Sequence, residues 1–92
     1  MKILWTKPAQ QDLHHIEAYL ETENPRAAVQ MVLKVMDSVE MILPSYPNAG
    51  RAGQLPGTRE LVIVETPYMV VYRCRVGALE VLRVLHHAQE WL

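Results

Sequence analysis

Apolar residues follow two rhythms along the chain, helical in its first half and extended in its second. Lys2-Ile3-Leu4-Trp5 is a short, mostly apolar run and predicts an opening strand. Thr6 then precedes a segment with Pro8 in its first turn, where a missing amide proton costs nothing, so Thr6 is placed to cap a helix. Ala9, Leu13, Ile16 and Leu20 recur on one face of that helix, and Gln10, Gln11, His14, Glu17 and Glu21 occupy the other. Asn24-Pro25 repeats the start signal and predicts a second helix from Pro25 to about Leu43, stopped by Pro44. Its apolar positions, among them Val29, Val32, Met36 and Val39, cover more than one stripe, which suits packing on a neighbouring helix and on a sheet together. So short a connection forces the two helices into an antiparallel hairpin.

Ser45 to Thr58 is rich in turn residues (Pro47-Asn48, Gly50, Gly53, Pro56-Gly57) and predicts a loop. Three strands are expected after it: Glu60 to Val64, Tyr68 to Cys74, and Leu79 to Leu85, with Gly77 in the last turn. Helices first and strands later define an α+β domain, its hairpin covering one face of a mainly antiparallel sheet. With 92 residues the chain suits a single domain spanning 1–92.

Charge narrows the function. Nine basic residues against ten acidic ones leave a net charge of −1. That balance argues against binding nucleic acid mainly through phosphates, and no direct sequence-specific DNA contact is expected. The arginines are uneven, however, with five of six between Arg51 and Arg83. The single cysteine, Cys74, rules out an internal disulfide framework and is expected to be a buried or half-buried strand residue. The longest apolar run, Tyr68 to Tyr72, is too short to span a bilayer, and the amino terminus lacks a secretory stretch. A cytoplasmic protein without membrane contact is the expectation.

His14-His15 and His86-His87 invite a metal reading, but adjacent histidines diverge on a helix and point to opposite faces on a strand. No His-Glu-x-x-His spacing or Gly-rich phosphate loop is present, so no metal and no cofactor are expected. Arg83 stands out inside Val81-Leu82-Arg83-Val84-Leu85, because a half-buried charge is costly unless paired or functional. Strand alternation puts it on one face with Leu79, Val81 and Leu85. It is either an ion-paired structural residue, with Glu60 or Glu65 as partner, or a residue facing an open site. Arg59 and Arg73 on neighbouring strands could join it in a cationic patch.

The stretches Leu55-Pro56-Gly57-Thr58-Arg59, Tyr68-Met69-Val70-Val71-Tyr72-Arg73 and Val84-Leu85-His86, with Trp5-Thr6-x-Pro8-Ala9-x-x-Asp12-Leu13 and Asn24-Pro25-x-Ala27-Ala28, resemble the signatures of the RelE/ParE toxin superfamily. This resemblance runs over essentially the whole chain. It implies a toxin of a type II toxin–antitoxin module with an antitoxin partner, and two possible activities. ParE-like members inhibit DNA gyrase and so block replication; RelE-like members cut messenger RNA on the ribosome. A nuclease needs a base for the ribose 2′-hydroxyl and cations for the phosphate. Here that set would be Arg59, Glu60, Arg83 and His86, with no lysine after Lys34 and no tyrosine after Tyr72. The sparse set favours gyrase inhibition, with no catalytic residues; RNA cleavage and a non-toxic regulatory module remain alternatives. Target-binding candidates are Arg59, Arg73, Arg83, His86 and Trp91, the last being either a contact or a plug over the sheet edge. Antitoxin-binding candidates are Val29, Val32, Met36, Leu61 and Ile63, on the apolar helix and on the strand without polar alternation.

Overall fold

The computed structural model describes residues 1–87. Strand β1 (Lys2–Trp5) leads into helices α1 (Lys7–Glu21) and α2 (Pro25–Ile42), followed by β2 (Arg51–Ala52), β3 (Arg59–Val62), β4 (Tyr68–Arg75) and β5 (Ala78–His86). The sheet order is β1-β5-β4-β3-β2, with β1 parallel to β5 and every other pair antiparallel. Both predicted caps form: Thr6 Oγ1 accepts from the Ala9 amide at 3.4 Å and Asn24 Oδ1 from the Ala27 amide at 3.2 Å.

The helices cover one face of the sheet. Ala9 and Leu13 of α1, Val35 and Val39 of α2, and Leu43 just beyond pack on Ile63, Tyr68, Val70, Tyr72, Leu79, Val81 and Val84. Each such aliphatic side chain contributes ~1.5–3 kcal/mol on burial. Tyr72 is fully buried at the centre, and its hydroxyl donates to the Pro47 carbonyl (2.8 Å) and accepts from the Gly50 amide (2.9 Å). A Cβ at Gly50 would come within 2.8 Å of the Tyr72 ring, so glycine is required there.

Four expectations are corrected. The predicted 45–58 loop contains a strand, β2, because Arg51 and Ala52 find partners in Glu60 and Arg59. The third strand begins at Arg59 and ends at Val62, two residues early, because Glu65 takes a left-handed turn conformation (φ 64°) and Thr66 bonds back to Ile63. Strict alternation fails in β5, where Val71 pairs with Arg83 but Tyr72 with Val81, so Leu82 is an extra residue. As a result Leu79, Val81 and Val84 join the helix-side core, while Leu85 joins a separate cluster with Met69 and Val71. Cys74, finally, is exposed: it lies near the end of β4, where the strand leaves the helices behind.

Candidate functional site

The sheet face away from the helices carries the charges. Strand register lines up Arg51, Glu60, Val71 and Arg83 in one row across β2, β3, β4 and β5, about 14 Å long at ~4.8 Å between strands. Its middle is closed and its ends are cationic. Glu60 is only 5% exposed and is held by Arg51 Nε at 3.1 Å and by the Gln54 amide at 3.3 Å. Arg51 also reaches Met69 Sδ at 4.0 Å. One row along, Arg73 and Arg75 each donate to Glu80 Oε1 at 2.7 Å, and these bonds hold the Glu80 carboxyl below its usual 4.5.

Arg83 is tied to α1. Its Nε and Nη2 clasp the two carboxylate oxygens of Asp12 at 2.7 and 3.0 Å, and the Val84 amide donates to the same carboxylate at 2.9 Å. β1 pairs β5 only as far as Val81, so beyond that point the edge of β5 is open and Asp12 takes over as its hydrogen-bonding neighbour. The bidentate pair raises the Arg83 pKa further. Beside it lies an open cavity of about 690 Å³ between α1 and the end of β5, lined by His15, Ile16, Tyr19, Tyr68, Arg83 and His86 among others. Burial, with Tyr19 nearby, pushes the Tyr68 hydroxyl up, and the Tyr68 ring meets His86 edge-on at 5.8 Å.

The sequence-predicted residues converge only in part: Arg83 and His86 line one cavity and Glu60 shares a row with Arg83, while Arg59 and Arg73 stand elsewhere. Arg59 shares its row with Tyr72, whose side chain belongs to the helix-side core, and it donates to the Gly50 carbonyl at 2.9 Å. Arg73 lies one residue along β4 from Tyr72 and points to the opposite face. Arg83 pairs with Asp12 rather than with Glu60 or Glu65. Of the nuclease set, Glu60 is buried and bonded, and His86 aligns with Tyr68 on the helix side. Trp91 lies outside the described residues. Among the antitoxin-binding candidates Val29 is 48% exposed and Val32, Met36 and Leu61 are half-buried. Ile63 is corrected: at 1% exposure it is part of the core, because it alternates onto the helix-side face with Leu61 while Val62 between them is exposed. Sequence reasoning missed Asp12, Arg51 and His15. Asp12 did leave a signal, as a carboxylate three residues after Ala9 and four before Ile16, beside the apolar stripe of α1.

Among the described residues no three His, Cys, Asp or Glu side chains gather as a metal would require, and no helix is long and apolar enough to cross a membrane. A two-helix hairpin on a mixed five-stranded sheet, with paired arginines on the open face, defines a small α+β domain. It matches a chain of the chromosomal ParDE toxin–antitoxin system from P. aeruginosa with a TM-score of 0.85 at 28% identity, covering 94% of this chain and 95% of that one. The toxin–antitoxin complex RelBE2 from Mycobacterium tuberculosis shares the fold at a TM-score of 0.57 and 22% identity, over 96% and 92% of the two chains. Residues 3–91 match the family described as "ParE toxin of type II toxin-antitoxin system, parDE". Curated relatives include Y4kP, a toxin candidate of Sinorhizobium fredii (39% identical, covering 98% of this chain and 92% of the relative), and Toxin RelE2 of Caulobacter vibrioides (33% identical, 96% and 97%). The chain belongs to the ParE toxin family of type II toxin–antitoxin systems.

Proposed function

We propose that this toxin arrests growth in the cytoplasm by binding DNA gyrase, and that a cognate antitoxin neutralises it. The observation that carries this reading is the commitment of its cations. Arg51, Arg73, Arg75 and Arg83 each hold a carboxylate, and Arg59 holds a backbone carbonyl. The carboxylates of Asp12, Glu60 and Glu80 offset part of this charge, and arginines so engaged attract a phosphate backbone less strongly. Glu60, the carboxylate of the nuclease set, is buried beneath Arg51 and out of reach of a ribose hydroxyl. A protein surface suits these paired charges better. The family match to ParE over residues 3–91 supports the same target.

The antitoxin is proposed to cover the helical hairpin. Val29 and Leu33, four residues apart on α2, are about half exposed. Val32 and Met36 line a groove with Trp5 and Leu13, which suits an amphipathic segment that folds as it binds.

The deciding experiment adds purified chain to gyrase, ATP and relaxed circular DNA. Supercoiling stops or cleaved DNA accumulates, and ribosome-bound messenger RNA stays intact. The relative named RelE2 favours a second reading, RNA cleavage on the ribosome, and codon-linked cuts with gyrase unaffected would establish it instead. Expression without growth arrest would leave only a non-toxic regulatory module.

A further inference from the structure

The hairpin tip between β2 and β3 is built more firmly than its burial requires. Leu55, Pro56 and Gly57 are exposed, Leu55 to 42%. Below them the Gly53 amide donates to the Thr58 carbonyl at 2.8 Å, and the Thr58 hydroxyl and amide both donate to the Leu55 carbonyl at 2.7 and 3.2 Å. The Gln54 amide is held from beneath by the buried Glu60. Two glycines are built into the turn. Gly57 has φ +79°, and a Cβ on Gly53 would meet the Thr58 hydroxyl at 2.3 Å. A buried carboxylate is expensive to place, and this one spends one oxygen on Arg51 and the other on a loop amide.

The chemistry of the tip is equally distinct. From Ala52 to Thr58 there is no charged residue, although arginines stand on both sides. A convex, uncharged Leu-Pro knob has nothing to offer a phosphate. Because its backbone is already ordered, docking it loses little conformational entropy. Such an element fits a preformed apolar cleft on a folded protein. A segment that folds as it binds needs grooves to lie in, and the helices already provide those.

We propose that Leu55-Pro56-Gly57 is the toxin's insertion point into an apolar cleft of its folded target protein, and that Glu60 is the positioning residue that keeps the tip in its binding shape. This deepens the gyrase reading and rests on it for the identity of the target. Val76, an equally apolar and fully exposed residue in the β4–β5 turn, serves as the control. Wild type, Leu55→Asp, Glu60→Gln and Val76→Asp are compared for growth arrest, gyrase binding, binding to the protein encoded beside the toxin, and thermal melting.

Leu55→Asp is expected to abolish growth arrest and weaken gyrase binding by about tenfold or more, with melting within about 3 °C of wild type and antitoxin binding unchanged. Val76→Asp should behave as wild type. Glu60→Gln should speed amide exchange over residues 53–58 and weaken gyrase binding several-fold while Leu55 remains in place. Leu55→Asp that arrests growth like wild type, or that loses antitoxin binding as well, overturns the insertion point. Faster exchange in Glu60→Gln without weaker binding overturns the positioning role. Failure of the wild-type chain to touch gyrase would instead overturn the gyrase reading, and growth arrest by Leu55→Asp would still judge the tip.

Discussion

The two faces of the sheet are ordered by different forces. On the helix side, Tyr72, Leu79, Val81 and Val84 pack against Ala9, Leu13, Val35 and Val39, and order follows from excluding water. On the open side a small cluster of Met69, Val71 and Leu85 lies among arginines paired with carboxylates, Arg51 with Glu60, Arg83 with Asp12, and Arg73 and Arg75 together with Glu80. The first face holds the fold together. The second fixes where charge stands, which serves recognition more than stability, since partly exposed pairs are worth little.

Substitutions should separate the two faces, and the largest effect belongs to the core. Leu79→Ala removes a fully buried side chain from the helix-side core and should cost ~2–5 kcal/mol in urea unfolding. Gly50→Ala drives a methyl into the Tyr72 ring and the Glu60 carbonyl, for about 1–3 kcal/mol, read the same way. On the open side Asp12→Ala strips Arg83 and the Val84 amide of their acceptor together. With Arg83 at 40% side-chain exposure, solvent screening holds the expected loss to about 1–2 kcal/mol. A loss as large as that of Leu79→Ala would mean that the charged face carries the fold after all.

The smallest effect concerns acid. Arg75 and Arg73 hold the Glu80 pKa below 4.5 in the folded chain, so the unfolded chain binds the proton more readily. Their stabilisation is present above about pH 4.5 and fades as pH falls through the lowered folded value. Glu80→Gln should lower the melting temperature slightly at neutral pH, and the difference from wild type should vanish as pH falls through that window, which flattens the acid limb. An unchanged acid limb would show that the pair does not persist in solution.

The helix-side face was legible in the sequence because its information is local. Thr6 and Asn24 announce their helices three residues before the amides they cap, and Ala9, Leu13 and Ile16 mark the buried stripe. The open face was not. Arg83 and Asp12 meet across 71 positions of sequence, and nothing near Arg83 distinguishes Asp12 from Glu60 or Glu65 as its partner. One extra residue at Leu82 was enough to separate Leu85 from Val81, which a period-two reading cannot anticipate. Cys74 was misplaced because its strand runs on past the helices that would bury it. Arg59 and Arg73 were grouped because they stand on neighbouring strands, whereas register sends them to opposite faces.

The parallel pairing of β1 with β5 also sets an order of events during synthesis. Among the described residues strand β1, Lys2–Trp5, has one strand partner, Ala78–Val81 of β5. Until those residues leave the ribosome, Thr6 has no Val81 carbonyl to hold and Asp12 no Arg83 to clasp. The two helices can pair early through local contacts, but the sheet they cover closes only when β5 has been made. A toxin wired in this way does not reach its folded form gradually: translation that halts before β5 leaves β1 without its partner strand and β4 with an open edge.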